Sequence, residues 1–82
     1  MVLVQQESSI IVWSKNDCPY CDNAKQLLKI KGLSYEERNI NSNWTKSDLL
    51  AVVPNARTVP QIFIDKNLVG GYNELVEYFN SS

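Results

Sequence analysis

The chain has 82 residues, enough for one domain with one small core. Its 44% hydrophobic and 21% charged residues are ordinary globular usage and argue against disorder as the main state. Eight basic residues against nine acidic ones give a formal charge of −1, which argues against nucleic acid as the main partner, and the lack of histidine excludes Ser-His and Cys-His catalysis, histidine metal sites and histidine pH switching.

Val2 and Val4 alternate with polar neighbours before Gln5-Gln6-Glu7-Ser8, so residues 1–8 read as a flexible lead-in or an extension of the first strand. Ser9 to Ser14 is a β-branched and aromatic run without alternation, as a strand covered on both faces would be. Lys15-Asn16-Asp17 breaks it. Pro19 suits the first turn of a helix running to Lys31, with Ala24, Leu27 and Leu28 at helical spacing and Gly32 just past its end. Tyr35 to Ile40 is a second, more polar and less covered strand. Thr45 with Asp48 three residues on resembles a capping box ahead of Leu49, Leu50, Val52 and Val53, and Pro54 stops that helix. Gln61 to Ile64 is a strand, Asp65-Lys66-Asn67 a turn, and Leu68-Val69 a short return strand ending at Gly70-Gly71. Asn73 is expected to cap a last helix, with Glu74 in its first turn and Leu75, Val76 and Phe79 facing inward.

The order is β-α-β-α-β-β-α, an α/β chain with a mixed sheet whose first two strands are parallel by right-handed crossover. No stretch approaches the roughly 18 apolar residues of a membrane span. Ile10-Ile11-Val12-Trp13 is too short for a signal-peptide core, and nothing basic precedes it. The expectation is one soluble, unprocessed domain over residues 1–82, from a reducing, cytoplasmic setting.

Cys18-Pro19-Tyr20-Cys21 falls where the first strand hands over to the first helix. A bridge across so short a loop removes little unfolded-chain entropy and would not staple the fold. Cys18 at the helix start meets unpaired N–H groups that favour a thiolate, and Cys21 lies one turn deeper on the same side. That placement suits attack by Cys18 on a disulfide and resolution by Cys21. Lys15 adds a nearby positive charge, while Asp17 and Asp22 oppose it. Half of a zinc site completed by a partner chain, or two small buried hydrophobes, are the rival readings.

Cys18-Pro19-Tyr20-Cys21, Arg57 to Ile64 and Gly70-Gly71-Tyr72-Asn73-Glu74-Leu75, in this order and spacing, resemble the blocks of dithiol glutaredoxins. The resemblance implies a thioredoxin-like fold in its compact glutaredoxin form, with four strands in a mixed sheet and three helices. It implies a cis bond at Val59-Pro60, where an ordinary proline opening a strand is the alternative. Val59 would then pair its backbone with an extended substrate, beside Thr58 and Pro60. Gly70 and Gly71 would let backbone approach glutathione, or form a bare turn. Asn73 and Glu74 would meet one end of the tripeptide, with Glu74 longer than the usual family aspartate. Lys15 and Arg57 would face its carboxylates, and Tyr20 would pack against it. Trp13 reads as core, and Trp44 as loop packing or an exposed contact for a partner.

The implied activity is a glutathione-dependent thiol-disulfide oxidoreductase. It would be a monomer with no bound cofactor, glutathione as co-substrate, and disulfide-bearing or glutathionylated proteins as clients. Ribonucleotide reductase is the first client to test. Two alternatives keep the fold: recharging by thioredoxin reductase, and an iron–sulfur cluster shared between subunits, which Pro19 disfavours.

Overall fold

The computed structural model describes residues 9–81, so the reading of residues 1–8 lies outside the described residues. Strand β1 spans Ile10–Ser14, helix α1 Pro19–Ile30, β2 Glu36–Asn39, α2 Lys46–Val52, β3 Gln61–Ile64, β4 Asn67–Gly70 and α3 Tyr72–Asn80. The four strands form one sheet in the order β2-β1-β3-β4. β1 runs parallel to β2 and antiparallel to β3, and β3 is antiparallel to β4.

The central place of β1 explains its composition. Ile10 and Val12 point to one face, where they meet Ala24 and Leu28 of α1, Ile62 and Ile64 of β3, and Leu75 of α3. Trp13 points to the other, with Leu49 and Val53 from the α2 region. Alternate residues of one strand therefore feed two cores, and both faces are mainly apolar. β2 lies at the sheet edge, and its Glu36 and Glu37 are exposed, as its polar sequence implied.

Helix ends follow local chemistry. α1 has Pro19 in its first turn, Asp22 near its start and Lys29 near its end, each on the side the macrodipole favours. It stops one residue before the expected Lys31, whose backbone instead caps it, and Gly32 follows with φ +73°. α2 opens on the reciprocal box: the Asp48 N–H donates to Thr45 Oγ1 at 3.1 Å and the Thr45 N–H to Asp48 Oδ2 at 2.9 Å. Of the apolar residues that follow the box, Leu49 and Val53 are buried, but Val52 is exposed. Seven residues make barely two turns, and Val52 falls on the side away from the sheet.

One further expectation is corrected. The last helix starts at Tyr72 with Gly71 as N-cap, so Asn73 is an exposed first-turn residue and not the cap. The Glu74 carboxylate takes over that work by accepting the Gly71 N–H at 2.9 Å. For Trp44 the loop-packing reading holds and the exposed-contact alternative does not: its ring meets Trp13 edge-on at 5.3 Å, and the Arg38 guanidinium lies 4.3 Å from its centroid. Arg38 covers Trp13 as well, at 5.3 Å, and its Nε donates to Glu36 at 2.7 Å.

Candidate active site

Cys18 is the N-cap of α1, and its backbone is extended, at φ −125° and ψ 97°. Its Sγ accepts the Cys21 N–H at 3.1 Å, the place a serine or aspartate oxygen holds at an ordinary helix start. The Cys18 C=O meanwhile accepts the Asp22 N–H at 3.0 Å, the first turn of the helix ladder. The two cysteines are joined as a disulfide, with Cα atoms 5.2 Å apart. Cys18 keeps 6% of its surface exposed and Cys21 none, so only the first sulfur is open to a partner molecule. This is the order the sequence implied: Cys18 outside, Cys21 within.

Val59 lies beside the pair. Its carbonyl oxygen is 3.7 Å from Cys18 Sγ, close enough to accept a weak bond from the thiol once the bridge is reduced. The Val59-Pro60 bond is cis. Two grooves meet at Thr58 and Val59. One, of about 330 Å³, runs between Tyr20 and Tyr72 and is bordered by Pro60, Gly71, Asn73 and Glu74. The other, of about 190 Å³, lies on the α2 side between Lys15, Lys46 and Arg57. A larger concavity, of about 690 Å³ between β4 and α3, is not lined by Val59.

The expected site residues thus divide. Tyr20, Thr58, Val59, Pro60, Gly71, Asn73 and Glu74 come together in the first groove, and Lys15 and Arg57 line the second with Thr58 and Val59. Gly70 lines neither. Its φ is +125°, and a Cβ there would fall 2.9 Å from Glu74 Cγ. A close approach that requires glycine at 70 is therefore made by the protein's own helix α3.

Tyr72 escaped sequence reasoning. Its ring lies 6.2 Å from that of Tyr20, tilted by 32°, and the two aromatics frame the first groove. An aromatic next to a glycine pair is no signal by itself. Lys46 was missed too, although a cation in a helix's first turn is out of place and so was a usable clue.

Behind the cysteines, α1 is anchored to the sheet by a polar cluster. The buried Ser14 hydroxyl donates to Glu37 Oε2 at 2.7 Å, and Lys25 Nζ reaches the same oxygen at 2.8 Å. The Lys25 and Ser14 bonds hold the Glu37 carboxyl below its ordinary range. The bond to Glu37 raises Lys25 above its own, against the opposing effect of burial.

A cysteine pair at a helix start, next to a cis-proline loop whose Val59 lines two grooves, is a constellation for disulfide exchange. The family model for glutaredoxin matches residues 10–69. The chain belongs to the glutaredoxin family. Glutaredoxin 3 of Escherichia coli K12 is 40% identical over 68 residues, covering 83% of this chain and 82% of that one. Among solved structures, glutaredoxin 1 of Francisella tularensis, complexed with cacodylate, superposes with a TM-score of 0.80 at 28% identity, over 92% of this chain and 95% of that one. The buckwheat glutaredoxin–glutathione complex matches with a TM-score of 0.77 at 27% identity, over 90% and 70% of the two chains. With its paired cysteines, this glutaredoxin is a thiol-disulfide oxidoreductase on the thioredoxin-like fold.

Proposed function

We propose that this glutaredoxin uses glutathione as its electron source and reduces protein disulfides and glutathionylated thiols. The observation that carries the reading is the meeting of both grooves at Val59, 3.7 Å from the sulfur of Cys18, the less buried cysteine of the pair. A tripeptide thiol disulfide-bonded to Cys18 would lie along Val59 as an extra strand, with one end in each groove. Its γ-glutamyl end suits the Tyr20–Tyr72 groove, where the first N–H groups of α3 and the Asn73 side chain offer partners for a carboxylate and Glu74 one for an ammonium. Its glycine carboxylate suits Lys15 and Arg57. The solved glutathione complex of the buckwheat relative supports this choice of co-substrate.

In the forward reaction the Cys18 thiolate attacks one sulfur of the client disulfide, that S–S bond breaks, and the client's other thiolate leaves. The Cys21 thiolate then attacks Cys18 Sγ, closing the Cys18–Cys21 disulfide and releasing the second client thiol. The Cys21 N–H that caps onto Cys18 Sγ stabilises the thiolate at the start of each cycle. Two molecules of glutathione restore the dithiol and leave as glutathione disulfide. A pair that must be re-reduced after every turnover suits a reducing compartment such as the cytoplasm. Ribonucleotide reductase is the first protein client to assay. The deciding experiment supplies glutathione and its reductase with a small glutathione mixed disulfide. Sustained turnover is expected; turnover only when thioredoxin reductase replaces glutathione would overturn the reading.

A further inference from the structure

The two grooves at Val59 differ in charge. The Tyr20–Tyr72 groove carries one acid, Glu74, already engaged with the Gly71 N–H. The second groove is lined by Lys15, Lys46 and Arg57 around Ile40, Leu49 and Ala56, with no acid among its lining residues. The three cations come from three places: the loop after β1, the first residue of α2, and the loop before Val59. Among the described residues none of them is ion-paired. In a chain of net charge −1, this is a local concentration of positive charge against the overall balance. Lys46 is the least expected of the three. A cation in the first turn opposes the helix macrodipole, and the neighbouring Asp48 is occupied by the capping box. Helix stability therefore does not account for Lys46.

We propose that this groove docks the acidic flank of a disulfide-bearing polypeptide client, with Lys46 as a specificity determinant beyond the reach of a small mixed disulfide. The proposal rests on the use of Val59 as a strand edge for substrate backbone. A polypeptide laid along that edge advances roughly 3.3 Å per residue and continues past the cysteines where a tripeptide stops. Lys15 and Arg57 suffice for the single carboxylate at the glycine end of glutathione. The third cation and the apolar floor match a longer chain that presents a carboxylate to the rim and an apolar side chain to Ile40 and Leu49.

The test uses prereduced protein and no glutathione, so it is readable whether or not glutathione is the electron source. Two synthetic peptides carry one internal disulfide each and differ only in having Asp or Lys beside the cysteines. Single-turnover reduction of the Asp peptide is expected to be about tenfold faster at low salt, the lower end of what charge steering delivers. The preference should shrink as salt rises. Lys46→Glu, a change that suits a helix start, should bring the two rates within about twofold of each other. Lys66→Glu alters net charge equally in the distant β3–β4 turn and should leave the preference intact. Equal rates on both peptides with the unmodified protein, an undiminished preference in Lys46→Glu, or an equal collapse in Lys66→Glu would each overturn the proposal.

Discussion

Helices α1 and α2 both begin with backbone N–H groups that the helix itself cannot satisfy, and each turns a side chain onto one of them. At α2 the partners are Thr45 and Asp48, which bond reciprocally and leave nothing reactive. At α1 the cap is a sulfur. Cys18 Sγ takes the Cys21 N–H at 3.1 Å while Cys18 remains the less buried member of a redox pair. The same local geometry is closed and structural at one helix and open and chemical at the other. What separates them is the atom at the N-cap and the presence of Val59 and two grooves beside it.

The sharpest way to split the two roles at α1 is Cys18→Ser. A serine hydroxyl is a good N-cap, so stability should stay within about 0.5 kcal/mol while all thiol-disulfide exchange is lost. Thermal melts and turnover on the same sample check this; residual exchange would place the nucleophile elsewhere. Cys21→Ser refines the contrast. Release of a trapped protein client needs the second thiolate at high local concentration, whereas a glutathionyl group can be cleared by another glutathione. Deglutathionylation should persist and protein-disulfide reduction should fall to a small residue.

The start of α3 offers the next largest effect. Gly70→Ala would set a side chain at φ +125° against Glu74 Cγ, at a cost of roughly 1–3 kcal/mol. A denaturant titration with unchanged m-value is the expected signature. If the variant is as stable as the parent, the packing of Glu74 over that glycine is not as described.

At α2, Thr45→Ala should cost about 1 kcal/mol and leave disulfide exchange rates unaltered, because that cap touches no substrate. Equal losses of stability and rate would erase the distinction between the two helix starts.

The smallest effect is the pH dependence of the Ser14–Glu37–Lys25 cluster behind α1. Glu37 titrates below its ordinary value in the folded protein, so its stabilisation is present above the unfolded value and is lost as pH falls through the folded one. Lys25 titrates above its ordinary value, so its share is present below the unfolded value and is lost as pH rises through the folded one. Both partners keep some exposure, which limits the pair to under about 1 kcal/mol. Glu37→Gln should lower stability by that small amount near neutrality, and the difference should vanish as acid protonates Glu37. A difference that grows on acidification would have the wrong sign for this cluster.

What the sequence determined by itself is what depends on neighbours along the chain. Pro19 and Gly32 bracket α1, Thr45 and Asp48 open α2, and the run Ile10 to Trp13 announces a strand buried on both sides. Cys18-Pro19-Tyr20-Cys21 at a strand-to-helix junction was enough to name a redox pair and to order its members. Each of these rests on hydrogen bonds or periodicities spanning a few residues, and such signals survive without a fold. Tertiary structure decided the rest. Gly71 became the cap in place of Asn73 because the Glu74 carboxylate reaches back to its N–H where β4 delivers the chain into α3. Trp44 was drawn onto Trp13 and under Arg38, Tyr72 onto Tyr20, and Lys46 beside Lys15 and Arg57. These partners lie far apart in the chain. Only the pairing of β1 with β2 and β3, and the helices laid across both sheet faces, bring them within reach, because side-chain contacts depend on register and crossing geometry that no local pattern encodes.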